Sequence, residues 1–133
     1  MADQQFAALP WRHTGTRIEV LLISSRETKR WVIPKGWPIA GLSPHESAAR
    51  EAFEEAGVGG QIAREPLGSY DYDKRLKDGR LLPCHVEVFP LEVMVQHTSW
   101  PEQAERAARW MSQDEAAAAV AEPQLAKLIR ELK

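Results

Sequence analysis

G-W-P-I-A-G-L-S-P-H-E-S-A-A-R-E-A-F-E-E-A-G-V, residues Gly36 to Val58, holds the densest local signals in the chain. Its second half predicts a helix with defined ends. Ser43 is a natural N-cap, Pro44 suits the first helical position and Glu46 completes an S-x-x-E capping box. Gly57 closes the helix in a left-handed turn. Between them run Ala48, Ala49, Arg50, Glu51, Ala52, Phe53, Glu54, Glu55 and Ala56, nearly all good helix formers.

Glu51, Glu54 and Glu55 share one broad face near the end of this helix. Local physics disfavours that arrangement. A like-charged i,i+4 pair costs about 0.2–0.5 kcal/mol, and an exposed acid in the last turn opposes the helix dipole by roughly 0.3–1 kcal/mol. Arg50, four residues before Glu54, is positioned to relieve part of this. An unfavourable acidic cluster on an otherwise well-formed helix points to a cation that completes it. Hard divalent cations bind such oxygens, and Mg²⁺ takes one or two carboxylates together with waters and substrate phosphates.

Outward from the helix, residues 1–10 read as a loose lead-in and Trp11 to Thr16 as an edge strand. Arg17 to Ile23 is an aliphatic, β-branched run of the kind found in a buried strand. Ser24 to Arg30 is a polar connection, and Trp31-Val32-Ile33 a short strand stopped by Pro34. Gly59-Gly60 marks a break after the helix. Gln61 to Gln96 reads as mostly β, with a hairpin at Lys77-Asp78-Gly79-Arg80 and an edge or bulge at Pro90. Ser99 to Glu102 is a turn, and Arg106 to Met111 a last strand. Ser112 and Glu115 form a second capping box, opening a helix to about Val120. Pro123 starts a final helix whose Leu125, Leu128, Ile129 and Leu132 make a core stripe. Helices at two places around a block of strands predict an α/β fold with helices on both sides of a mixed sheet.

The chain has 133 residues, which predicts one domain over 1–133. With 44% hydrophobic and 27% charged residues it is expected to fold as an ordinary globular protein. A net charge of −2 argues against binding a nucleic-acid polymer. The lone Cys84 excludes an intrachain disulfide and a multi-cysteine zinc site. No apolar stretch approaches the roughly 20 residues of a membrane span, and no signal peptide is visible, so the expected location is cytoplasmic, without membrane contact, as a monomer or homodimer.

The string G-x5-L-x7-R-E-A-x-E-E-x-G-V resembles the signature of the Nudix hydrolases, G-x5-E-x7-R-E-U-x-E-E-x-G-U, where U is aliphatic. Gly36, Arg50, Glu51, Ala52, Glu54, Glu55, Gly57 and Val58 carry the match. Leu42 departs from it, standing where the signature has its first glutamate, and Glu46 is better explained as the capping-box partner than as a substitute. The resemblance implies an α/β/α sandwich with a central mixed β-sheet. It implies a hydrolase of phosphoanhydride bonds that uses Mg²⁺, with Mn²⁺ as a substitute. Glu51 and Glu55 would be metal ligands, with the backbone carbonyl of Lys35. Glu54 would join them or accept a proton from the attacking water, and Arg50 would orient the glutamates. Glu102 and Glu105 are candidates for a further acid from a distant loop.

A phosphorylated small-molecule substrate needs cations and shape. Lys35, Gly36, Lys74, Arg75 and Arg106 are the candidate substrate-binding residues, with Lys77 and Arg80 nearby on the hairpin. Tyr70, Tyr72 and Trp37 are aromatics able to stack on a base, although sheet packing suits the two tyrosines. R-W-V-I-P-K-G and W-P-E-Q-A-E-R-A-A-R-W resemble the branch containing diphosphoinositol polyphosphate phosphohydrolases, some of which also cleave dinucleoside polyphosphates. The sequence leaves open these substrates and a nucleoside diphosphate linked to another group, which the family resemblance also implies. Two other readings stand beside the enzyme: a non-catalytic module binding a nucleotide-like ligand, and a globular domain whose acidic helix is only surface.

Overall fold

The computed structural model describes residues 2–26 and 28–133. Strands β1 (Asp3–Thr14), β2 (Arg17–Ser24), β3 (Trp31–Val32) and β4 (Lys35–Gly36) precede helix α1 (Pro44–Ala56). Strands β5 (Val58–Ile62), β6 (Gly68–Arg75), β7 (Leu81–Gln96) and β8 (Ala108–Ser112) follow, then α2 (Gln113–Ala119) and α3 (Pro123–Glu131). One sheet runs β3-β2-β1-β7-β5, with β4 on β1, β6 on β7 and β8 on β2. Among the described strand pairs β1 and β7 run parallel and the others antiparallel, so the sheet is mixed.

Side chains alternate across each strand and divide the core in two. Ala7, Leu9, Val20, Leu22, Val86 and Val88 face α2 and α3, where Ala116, Leu125, Leu128 and Ile129 meet them. Phe6, Ala8, Leu21, Ile23, Phe89 and Leu91 face α1 through Ala48, Ala52 and Ala56. The α/β/α sandwich is therefore present, with a helix layer on each side. No described helix is long and apolar enough to cross a membrane.

Both capping boxes form as expected, at Ser43/Glu46 and Ser112/Glu115, and Gly57 ends α1 at φ 69°. The Leu125-Leu128-Ile129-Leu132 stripe is buried. The 77–80 turn joins β6 to β7, with Gly79 at φ 88°.

Four expectations need correction. Residues 3–10 are not a loose lead-in but the first part of β1, whose Gln5 to Leu9 are buried. The edge strand expected from Trp11 to Thr16 is not a separate strand: Trp11 to Thr14 continue β1 and pair with β2, while β7 pairs with β1 only as far as Trp11. The Gly59-Gly60 break is a bulge inside β5, where the register against β7 shifts. Pro90 ends nothing. Its carbonyl accepts the Ala63 N–H (2.9 Å), on the edge where the neighbour of β7 changes from β6 to β5. A missing N–H is tolerated in that gap.

Candidate active site

Helix α1 runs beneath β4, and this contact builds the acidic part of the site. At about 100° per residue, Glu55 falls between Glu51 and the buried Ala52, while Glu54 and then Arg50 turn progressively towards solvent. Glu51 and Glu55 accordingly line a cleft of ≈ 540 Å³ with Gln5, Lys35, Gly36, Trp37, Lys74, Glu102 and Arg106. Glu54 and Arg50 are not among its lining residues. Arg50 is exposed, and among the described residues it forms no ion pair with Glu54 or any other acid.

Glu55 is buried and accepts the backbone N–H of Lys35 at 3.2 Å. In an extended segment N–H and C=O of one residue leave the same side. The Pro34 carbonyl is turned to Ala8 of β1 (3.0 Å), so the Lys35 carbonyl points away from β1, on the Glu55 side. Gly36 gives Glu51 its space: a Cβ there would stand 2.5 Å from the Glu51 carboxyl carbon.

Burial, then Glu55, then Glu54 push the Glu51 carboxyl up to about 8. Glu55 is also raised, chiefly by burial, against the opposing pull of Arg106 and Lys35. Burial lowers Lys35 to about 8. Among the described residues no three acids, histidines or cysteines stand at metal-ligand spacing. The fold thus places the carboxylates of Glu51 and Glu55 beside a backbone carbonyl, with Glu54 next to them on the helix. This donor set fits a hard divalent cation that keeps waters and phosphates in its remaining positions.

The two distant acids separate. The N–H of Glu102 donates to the Glu54 carbonyl at the end of α1 (3.0 Å), and its carboxylate accepts from Arg106 Nε (2.9 Å), placing it in the cleft. Trp100 packs over Gly57, where a Cβ would stand 2.3 Å from the indole, and so seats this loop on the helix end. Glu105 is outside, paired with Arg26 (3.0 Å). Arg106 also donates to the Ser24 carbonyl (3.2 Å) and lies 3.8 Å from Glu55. Because it supports two cleft acids, Arg106→Ala is expected to reduce cation affinity or activity by about 10–100-fold, the usual effect of removing a partner behind the ligands. Titration of the variant with Mg²⁺ measures this.

Beyond Arg106 the cleft continues into a basic half of ≈ 460 Å³ lined by Arg26, Arg30, Lys35, Lys74, Arg75 and Arg106, among others. All the cations expected to bind substrate therefore meet here, with Gly36 on the acidic side. Lys77 and Arg80 do not line it, and Arg80 is engaged by Asp78 (2.6 Å). Sequence reading missed Arg26 and Arg30. The one available signal was their place in a polar connection between two strands, which does not say what that loop covers.

The Glu51 shift has a measurable consequence. A carboxyl whose folded pKa is raised binds its proton more tightly folded than unfolded, so stability falls as pH rises between the two values. Metal-free protein is expected to melt at a lower temperature at pH 8 than at pH 6, and a divalent cation should reverse most of the drop. A flat Tm across that range would contradict the geometry.

The chain belongs to the Nudix family, whose NUDIX domain model matches residues 4–132. Nudix hydrolase 21, chloroplastic, of Arabidopsis thaliana is 40% identical over 122 residues, covering 85% of this chain and 57% of that protein. Diphosphoinositol polyphosphate phosphohydrolase 3-beta of Bos taurus is 44% identical over 64 residues, 44% of this chain and 36% of that protein. The chain spans about half the length of the curated relatives it matches. Among solved structures, the C. elegans Ap4A hydrolase superposes with a TM-score of 0.67 at 19% identity, covering 98% of this chain and 95% of that one, a likeness of fold.

Proposed function

We propose that this chain is a Mg²⁺-dependent hydrolase of a phosphoanhydride bond in a small substrate carrying several phosphates. The observation that carries the reading is the facing pair Glu51 and Glu55, set beside the Lys35 backbone and opening directly onto a basic half-cleft. Glu51, Glu55 and the Lys35 carbonyl would hold the cation, which would screen the charge on the phosphate oxygens and acidify water. Lys74, Arg75, Arg26 and the Lys35 ammonium bind the phosphates through charge-assisted hydrogen bonds and set the scissile bond over the acids. Glu102, fixed by Arg106, is the carboxylate in the cleft able to accept a proton from water.

A second reading, a module that binds such a ligand without turning it over, draws on Leu42 at the first signature position and on Glu54 outside the cleft lining. Incubation with dinucleoside polyphosphates, nucleoside diphosphate sugars and diphosphoinositol polyphosphates, with Mg²⁺, with Mn²⁺ or with chelator, separates the two. Metal-dependent release of phosphate-bearing products supports the enzyme. Thermal shifts without products would support the module, and neither would sink both.

A further inference from the structure

The N-cap of α3 is filled against local preference. Glu122 stands there, followed by Pro123, where serine, threonine, asparagine or aspartate is favoured. Its side chain makes no capping hydrogen bond. It instead accepts from Arg30 Nη1 (3.1 Å), a residue 92 positions earlier in the chain. The bridge between Trp31 and Val120 brings the two segments together. Helix capping therefore does not account for the carboxylate.

The cleft does. Glu122 lines the basic half, and its side chain is 12% exposed against 40% for Arg30. The cations of that half are held differently. Among the described residues Lys35, Lys74 and Arg75 form no ion pair. Arg26 pairs with Glu105 and Arg106 with Glu102, and neither acid lines the basic half. Arg30 is paired by an acid standing in the same cavity wall. Asp73, also on that wall, is exposed on β6.

A mostly buried carboxylate acts on a neighbouring phosphate through a lower effective dielectric than a surface charge does, so its repulsion is strong at short range. It also engages a guanidinium whose fork of donors would otherwise serve phosphate oxygens. We propose that Glu122 is a specificity-determining residue of the cleft: it withdraws Arg30 from phosphate binding and fixes a negative charge in the wall, so that the basic half discriminates against densely phosphorylated ligands. This rests on the reading of that half as the phosphate-binding part, and not on hydrolysis.

Glucose 6-phosphate and myo-inositol hexakisphosphate test it by calorimetry on the metal-free protein, because both are monoesters with no anhydride to cleave. Glu122→Gln keeps the shape and removes the charge. Glu122→Ser removes the charge and supplies a preferred capping hydroxyl, so the test does not depend on one variant folding. Each should bind the hexakisphosphate about tenfold more tightly than wild type, with glucose 6-phosphate changing by less than about threefold. Glu122→Asp should keep the wild-type ratio of the two affinities. A hexakisphosphate affinity that falls or stays level in both neutral variants would make Glu122 a support for Arg30 and overturn the proposal. Equal gains for both ligands would remove the selectivity. Binding of neither ligand to any form would overturn it together with the phosphate-binding reading of the basic half. Hydrolysis is scored apart. The shifted ratio in a protein that cleaves no anhydride leaves the role of Glu122 standing, and hydrolysis with an unmoved ratio removes that role alone.

Discussion

Glu55→Gln lowers kcat by about a thousandfold, the several kcal/mol that a correctly held cation contributes to a phosphoryl transition state. The fold survives. Glu55 is buried and its proton affinity is raised by that burial more than Arg106 and Lys35 lower it, so a neutral isostere relieves an unfavourable charge. The metal-free variant should therefore melt at or slightly above the wild-type temperature, while the rise in Tm on adding Mg²⁺ is lost. Glu54→Gln should be less damaging to kcat, because the Glu54 side chain does not line the cleft and its backbone carbonyl, which holds the Glu102 amide, is unchanged by substitution. A kcat within tenfold of wild type for Glu55→Gln would remove the metal from the mechanism. A large drop in metal-free Tm would instead make Glu55 a structural residue.

What was legible in the sequence was what local chemistry specifies. Ser43, Glu46 and Gly57 define α1 through caps that act within four residues, and the structure keeps both ends. The leucine stripe of α3 follows from helical periodicity alone. β1 was hidden for the opposite reason. Phe6, Ala7, Ala8 and Leu9 are buried on both faces of a strand paired in parallel with β7, so no alternation marks them and half of them are only alanine. The site divides along the same line. Glu51 and Glu55 follow from spacing on one helix. The choice between Glu102 and Glu105 depends on an indole lying over Gly57 and on one backbone hydrogen bond to Glu54, contacts between segments far apart in the chain. Helix angle leaves Arg50 exposed and turned away from the Glu51–Glu55 face, which the i,i+4 spacing to Glu54 does not reveal.

Gly36→Ala is the substitution that best separates the site from the fold. A Cβ on residue 36 would lie 2.5 Å from Cδ and Oε2 of Glu51 and 2.9 Å from its Oε1. The Gly36 backbone does not require glycine for its conformation, since it is absent from the glycines with positive φ. The added methyl therefore meets the Glu51 carboxylate first, and that carboxylate ends a flexible side chain able to swing aside. The protein should fold, with a Tm near that of the wild type. The carboxylate, displaced by about 1 Å, would lose its place opposite Glu55, and a misplacement of that size lowers activity about a hundredfold. Mg²⁺ affinity should fall in step, and the pH-dependent loss of metal-free stability between pH 6 and 8 should shrink, because Glu51 leaves the buried position, and then the neighbouring Glu55, that raise its proton affinity. Full activity in Gly36→Ala would mean that Glu51 works from a different position, and the paired-carboxylate site would have to be abandoned.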